Sequence, residues 1–319
     1  MKLRQAQHER GHCAIGGLPL VLGGNVFGWT ARGDDGFAVL DAFYEAGGRM
    51  IDTADVYSAW IPGNKGGDSE MLIGQWLESR GVRREMLIHT KTGMWGGPEL
   101  YEPARVLQSL DASLERLRTD YVDLYYAHRD FEDLPIEGIV AAFDGAAKSG
   151  KVRSLGASKF TASRLEAALD AATASGATPF SVLQNQYNLV ERSDYSEDLQ
   201  RLCRAHDMPL LPYFGLAAGY LSGKYRKPAD LEGADRGIRV QDFMTKGPPV
   251  LVALDRVAAE TGASLPAIAL AWLRAQPMIP APIASARSPE QLATLIESAT
   301  LELTPEQLAQ LSMSADHSA

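Results

Sequence analysis

The chain has 319 residues, of which 45% are hydrophobic and 22% charged, and carries a net charge of −9. That is the composition of an ordinary globular protein, long enough to bury a sizeable core. The acidic balance argues against a nucleic-acid partner, and no apolar run approaches the ~18 residues of a membrane span. The two cysteines, Cys13 and Cys203, stand in no metal-type spacing, so neither a disulfide framework nor a zinc site is expected. The polar stretch from Met1 to Gly11 lacks the apolar centre of a signal peptide, which predicts a cytoplasmic protein with 1–11 a candidate disordered lead-in.

Along the chain a short apolar strand, a turn and an amphipathic helix alternate. Pro19 to Gly28 reads as a first strand. Asp34 to Ala46 reads as a helix with Phe37, Leu40, Ala42 and Phe43 along one side. Strands follow at Arg49–Asp52, Met86–His89 and Tyr121–Ala127, separated by helices at Ser69–Glu78 and Pro103–Leu117. Pro103 suits a first helical turn, where its missing N–H costs little. Next come a helix at Ile136–Ala147, a strand at Val152–Ala157 and a helix from Thr161, an apt N-cap, to Ala172. The alternation continues with Ser181–Gln184, Ser196–Arg204 and a seventh strand at Pro209–Tyr213. Residues 223–249 are rich in Gly, Pro and charge and read as one long irregular stretch. Helices near Val250–Glu260 and Pro266–Arg274, an eighth strand at Met278–Ile283, and helices at Pro289–Ser298 and Pro305–Leu311 complete the chain.

Eight strands alternating with helices predict parallel pairing with right-handed crossovers. The count and the length favour an α/β fold of the closed (β/α)8 TIM-barrel type, a single domain over 1–319. The 223–249 stretch is too long for an ordinary connection and reads as a functional loop over the mouth.

In such a barrel the active site lies at the C-terminal ends of the strands. There the sequence places Asp52 and, in the following loop, Tyr57; then Lys91; then His128. Singly each has an ordinary explanation: a turn cap, a packed ring, a solvated ammonium, a hydrogen-bonded imidazole. Together they converge on one mouth, and carbonyl reduction is the chemistry that wants them. A hydride acceptor needs a proton donor at its oxygen. Free tyrosine, with a pKa near 10, suits that role better beside an ammonium that favours the phenolate. A carboxylate holds the ammonium, and a histidine donates a second hydrogen bond to the carbonyl oxygen.

The motifs that carry these residues resemble the aldo-keto reductase superfamily from about Leu18 to about Ala299. They are Ile-Asp-Thr-Ala-Asp-Val-Tyr (51–57), the helix start Gly67-Asp68-Ser69-Glu70 with Gly74, Thr90-Lys91 and Asp120 through His128. Gly156-Ala157-Ser158, Gln184 through Asn188 and Leu221 through Tyr225 complete the set. The resemblance implies a catalytic tetrad: Tyr57 as acid/base, Lys91 as its tuner, Asp52 as the partner of Lys91 and His128 as carbonyl orienter. It also implies NADPH, ahead of NADH, as cofactor. Tyr213, followed by Phe214, would stack on the nicotinamide, while Ser158, Lys159 and Gln184 would meet its carboxamide end. The loop from Gly215 and Leu216 to Ser222 would cover the pyrophosphate, and Ser285, Arg287 and Gln291 the 2′-phosphate. Lys159 stands where the family commonly has Asn, and Phe214-Gly215 where Ser-Pro or Ser-Ala is common.

Trp29, Trp60 and Trp95 fall on loops above the mouth and could wall an apolar substrate pocket. The Gly-rich loop from Ile61 to Gly67 resembles members acting on sugars and general carbonyls; it reads equally as a plain turn. The function expected is NADPH-dependent reduction of an aldehyde or ketone, sugar-derived carbonyls included. The alternative is a catalytically weak NADPH-binding redox-sensor subunit, and a metal-dependent hydrolase would need a His/Asp cluster that is not seen. No metal, nucleic-acid or membrane partner is expected, and the sequence is compatible with a monomer or an oligomer.

Overall fold

Seven short parallel strands make one curled sheet, in the order β6-β5-β4-β3-β2-β1-β7. They are β1 (Val21–Gly23), β2 (Met50–Asp52), β3 (Leu87–Thr92), β4 (Leu124–Ala127), β5 (Leu155–Ser158), β6 (Phe180–Gln184) and β7 (Ile283–Ala284). The structure is a computed structural model and describes residues 17–233 and 237–316, so the lead-in at 1–11 and Cys13 lie outside it.

Helices α1 (Gly33–Glu45), α2 (Asp68–Arg80), α3 (Pro103–Leu117), α4 (Ile136–Lys148), α5 (Ala162–Ser175) and α6 (Glu197–Ala205) alternate with the strands. After them come α7 (Gly237–Lys246), α8 (Pro248–Thr261), α9 (Leu265–Arg274), α10 (Pro289–Glu297) and α11 (Pro305–Asp316). Local chemistry sets several boundaries. Pro103 opens α3, and the Thr161 hydroxyl accepts the Arg164 N–H to cap α5. Ser196, Ser264 and Ser288 cap α6, α9 and α10 in the same way.

Because strand side chains alternate, the sheet carries two cores. Val21, Met50, Leu124, Tyr126, Val182 and Leu211 belong to a cluster on the inner face. A larger cluster fills the layer between strands and helices, with Trp76, Phe143 and Trp272 among its fully buried rings.

Three expectations are corrected here. The first strand is only Val21–Gly23, and Gly24–Val26 turns into a 3-10 helix. The expected strands at 209–213 and 278–283 are not regular strands. Residues 209–213 form isolated bridges to Leu183 and Gln186, and β7 begins only at Ile283. Pro209, Pro212, Pro280 and Pro282 explain this, since each removes a ladder donor. Their carbonyls still serve: Leu183 N–H donates to Pro209, Ile283 N–H to Pro212 and Val21 N–H to Pro282. Residues 209–213 thus bond to β6 on one side and to the β7 segment on the other. Finally, the stretch 223–249 contains the 3-10 turn Pro228–Leu231 and helix α7. Its Gly, Pro and charge content hid a helix anchored by buried Val240.

Helices α2 and α3 touch so closely at Gly74 that a Cβ there would sit 2.2 Å from the Arg116 carbonyl oxygen and 2.7 Å from the Leu117 carbonyl carbon. Alanine is the better helix former by about 1 kcal/mol, yet Gly74→Ala is expected to lower stability by about 1–3 kcal/mol through overpacking against backbone. Thermal and urea denaturation of the variant check the sign.

Candidate active site

The site is assembled from the C-terminal ends of the strands. Asp52 closes β2 and Lys91 is the second-last residue of β3. In the parallel register Asp52 lies opposite His89, and Lys91 opposite Tyr126. Past the end of β2 the ladder continues, because Thr53 N–H donates to the His89 carbonyl and Asp55 N–H to the Lys91 carbonyl. The chain then turns, Tyr57 N–H donating to the Ala54 carbonyl, and brings the Tyr57 ring back over Lys91. Buried Ser69 supports this loop from α2: it accepts from Thr53 Oγ1 at 2.8 Å and donates to the Gly24 carbonyl at 2.7 Å.

The Lys91 ammonium has three donors and three acceptors. It donates to Asp52 Oδ2 at 2.6 Å, to the Thr53 carbonyl at 2.8 Å and to Tyr57 Oη at 3.0 Å. Gln184, at the end of β6, donates to Asp52 Oδ1 at 2.9 Å. Both Lys91 and Asp52 side chains are buried, at 0% and 2% exposure. His128 follows β4, its ring centroid 6.1 Å from that of Tyr57.

These groups lie on a cavity of about 960 Å³. Asp52, Tyr57, His128, Ser158, Lys159, Gln184, Tyr213, Phe214, Gly215, Leu216, Ser285 and the three tryptophans Trp29, Trp60 and Trp95 all line it. Lys91 reaches it through Tyr57 and Asp52. Arg287 and Gln291 do not line the cavity; Arg287 N–H donates to Gln291 Oε1 at the start of α10. The tryptophans form an edge-to-face array around Trp60, with centroids 5.6 Å to Trp29, 6.1 Å to Tyr57 and 6.5 Å to Trp95.

Lys159 is held in the left-handed region at φ 61°, its N–H donating to Asn185 Oδ1 at 2.7 Å. Its ammonium approaches Met94 Sδ at 3.6 Å and lies 5.8 Å from the Tyr213 ring centroid. Phe214, Ala217, Ala218 and Gly219 also have positive φ, so the 214–219 backbone is tightly curled. Asn25, Met94, Gln186, Ile238, Arg239 and Gln241 are lining residues that sequence reasoning missed. The last three sit on α7, so recognising that helix within the 223–249 stretch would have found them. Asn25 was legible only as the residue after Gly23-Gly24; its Oδ1 accepts from Ser285 Oγ at 2.8 Å.

The electrostatics differ from expectation in one respect. Burial raises the Tyr57 hydroxyl above its ordinary value of 10; Lys91 pulls it down and Asp52 pushes it up, and the net direction is upward. Tyr57 therefore stays protonated at neutral pH, with Lys91 the largest opposing influence. For Lys91 burial works against the charge, but Asp52 and then Tyr57 outweigh it and raise its pKa. His128 is lowered well below 6.5 by burial and then by the charges of Lys91 and Lys159, so its imidazole is neutral. Among the described residues no group of three or more His, Cys, Asp or Glu could hold a metal ion. No helix among them is long and apolar enough to cross a membrane.

Comparison with known proteins agrees with this geometry. The profile of the aldo/keto reductase family matches residues 19–315. The chain is 30% identical to the aryl-alcohol dehydrogenase [NADP(+)] of Phanerodontia chrysosporium, over 93% of this chain and 82% of that protein. It is 32% identical to a norsolorinic acid reductase of Emericella nidulans, over 92% of this chain and 77% of that protein. An aryl-alcohol dehydrogenase of Pestalotiopsis microspora is 31% identical over 93% and 79%. The chain belongs to the aldo/keto reductase family and is an NAD(P)H-dependent oxidoreductase.

Replacing Lys91 by Met leaves the Asp52 carboxylate buried without its cation. The expected cost is about 3–5 kcal/mol of stability, read by chemical denaturation, and the Tyr57 hydroxyl should titrate still higher in a phenolate absorbance titration.

Proposed function

We propose that the protein uses NADPH to reduce aromatic aldehydes or ketones to alcohols, with Tyr57 as proton donor. The observation that carries this reading is the Lys91 ammonium, bonded at once to Asp52 and Tyr57 beneath a cavity that His128 also lines. The residues around the cavity fit a dinucleotide: Tyr213 offers an aromatic platform, and Ser158 and Gln184 offer amide partners. The curled 214–219 backbone and Ser285 offer phosphate and ribose contacts. Residues 209–213, bonded on both sides, would act as the remaining stave that closes a (β/α)8 barrel. When bound, the cofactor supplies the hydride.

The protein's own groups do the rest. Tyr57 donates its proton to the carbonyl oxygen. Lys91, 3.0 Å away, stabilises the phenolate that remains. Asp52 and Gln184 keep Lys91 aimed, and neutral His128 has one ring N–H to orient the carbonyl oxygen. The tryptophan array favours a flat apolar substrate over a polyhydroxylated one, since edge and face contacts to a ring add about 0.5–1.5 kcal/mol each. Two of the relatives are named as aryl-alcohol dehydrogenases, one of them with NADP(+), which supports both the substrate class and the cofactor.

Tyr57→Phe is expected to lower kcat for aromatic aldehydes by about 10²–10⁴-fold while NADPH still quenches tryptophan fluorescence with nearly unchanged affinity. Undiminished turnover removes Tyr57 from the role; tight NADPH binding with no turnover in the unaltered protein favours the redox-sensor alternative. Trp60→Ala should raise KM for benzaldehydes about tenfold with little effect on aliphatic or sugar-derived aldehydes. An equal change for all of them argues against the aromatic assignment.

A further inference from the structure

On β3, Lys91 faces the site while its neighbours Thr90 and Thr92 face the helix layer, and each hydroxyl meets a carboxylate. Thr90 Oγ1 donates to Glu70 Oε1 at 2.5 Å, and Thr92 Oγ1 donates to Asp55 Oδ2 at 2.6 Å. Glu70, fully buried on α2, has Arg116 of α3 as its cation at 2.7 Å. Asp55 has no ion pair among the described residues. Its backbone N–H is the donor to the Lys91 carbonyl, 3.1 Å away, and two residues later the same loop carries Tyr57. The Gly-rich loop closes over this point. A Cβ at Gly66, where φ is +93°, would come 2.7 Å from the Asp55 carbonyl oxygen, and one at Gly67 2.4 Å from the Arg116 side chain. Glycine at Gly66 is thus required both by conformation and by close approach.

We propose that Asp55 is a positioning residue, whose carboxyl, accepting the Thr92 hydroxyl, holds the Tyr57 loop in register against the strand that carries Lys91. The inference rests on the reductase reading above. Two carboxyls lie behind the site and the Arg116 guanidinium pairs with Glu70, and the electrostatics follow that geometry. Burial first, and then the Glu70 charge, push Asp55 from 3.8 up to about 7, against the Thr92 hydrogen bond, Arg116 and the Val56 N–H. Tyr101 and Tyr125, the other titratable groups that sense Asp55, are both raised far above neutrality. Ionisation of Asp55 near neutral pH then sets a second buried charge beside Glu70, and this repulsion works on the loop against the Thr92 hydrogen bond. Tyr57, Lys91 and His128 titrate outside that range.

The sign follows from linkage. A carboxyl with a raised folded-state pKa favours the folded state fully below about 4, and that contribution is lost as pH rises from 3.8 to about 7. The test is the pH profile of kcat with NADPH and 4-nitrobenzaldehyde, together with Tm at pH 5 and pH 8, for the unaltered protein, Asp55→Asn and Asp55→Ala. The unaltered protein should lose kcat with an inflection near pH 7 and have a lower Tm at pH 8 than at pH 5. Asp55→Asn, which keeps the acceptor for Thr92 without the charge, should turn over at pH 6, lack the inflection and lose much of the Tm difference. Asp55→Ala should fall about 10- to 100-fold at every pH through misplacement of Tyr57. The same inflection in Asp55→Asn, or none in the unaltered protein, overturns the proposal. If the unaltered protein reduces no carbonyl at all, the reductase reading fails separately; Asp55 is then judged by Tm, and an identical pH dependence in Asp55→Asn overturns its role.

Discussion

Everything at the mouth of this protein is arranged around one buried ion pair, Lys91 with Asp52. Removing two charges from water costs several kcal/mol each, and the cost is met only if every donor and acceptor is satisfied. Here all three ammonium protons have acceptors, and the second carboxylate oxygen takes the Gln184 amide. The pair therefore locks β2, β3 and β6 together. The Tyr57 hydroxyl joins the same pair, accepting from Lys91 at 3.0 Å and donating to Asp52 Oδ2 at 3.4 Å.

The two faces of β3 divide the labour. The inner face gives Lys91 to the chemistry. The outer face gives Thr90 and Thr92 to carboxylates on α2 and on the Tyr57 loop. Thr53, Ser69 and the Gly24 carbonyl form a further chain of hydrogen bonds that ties the same loop to the turn after β1. The loop that carries Tyr57 is thus bonded at Thr53 and Asp55 by groups outside the cavity lining.

Above this rigid floor the cavity changes character. The tryptophan array is apolar and partly exposed, with Trp60 at 38% and Trp95 at 53%. Lys159 and Arg239 also line the cavity, cations on a protein whose net charge is −9. The cavity lining thus combines aromatic rings with two cations on an acidic protein.

The alternation of strands and helices, most helix positions and the four strand-end residues were legible in the sequence. Hydrophobic periodicity, proline at helix starts and serine or threonine caps are local signals. The spacing of Asp52 and Tyr57 was legible too, as part of the motif that resembles the family. What the sequence could not convey was non-local. The prolines at 209 and 212 reduced one expected strand to isolated bridges and those at 280 and 282 delayed another until Ile283, yet the Pro209, Pro212 and Pro282 carbonyls still bond to the neighbouring segments. Helix α7 took shape within a stretch rich in Gly, Pro and charge, because Val240 found a buried place. The Gln291 side chain accepts the Arg287 backbone N–H at the start of α10, and neither residue lines the cavity. The net direction of the Tyr57 pKa, and the pairing of Asp55 with Thr92 beside Glu70, depend on burial and on charges from other elements. Sequence by itself determined which chemical groups stand at the strand ends; tertiary structure decided their protonation, because desolvation and Coulomb interactions act between residues that only folding brings together.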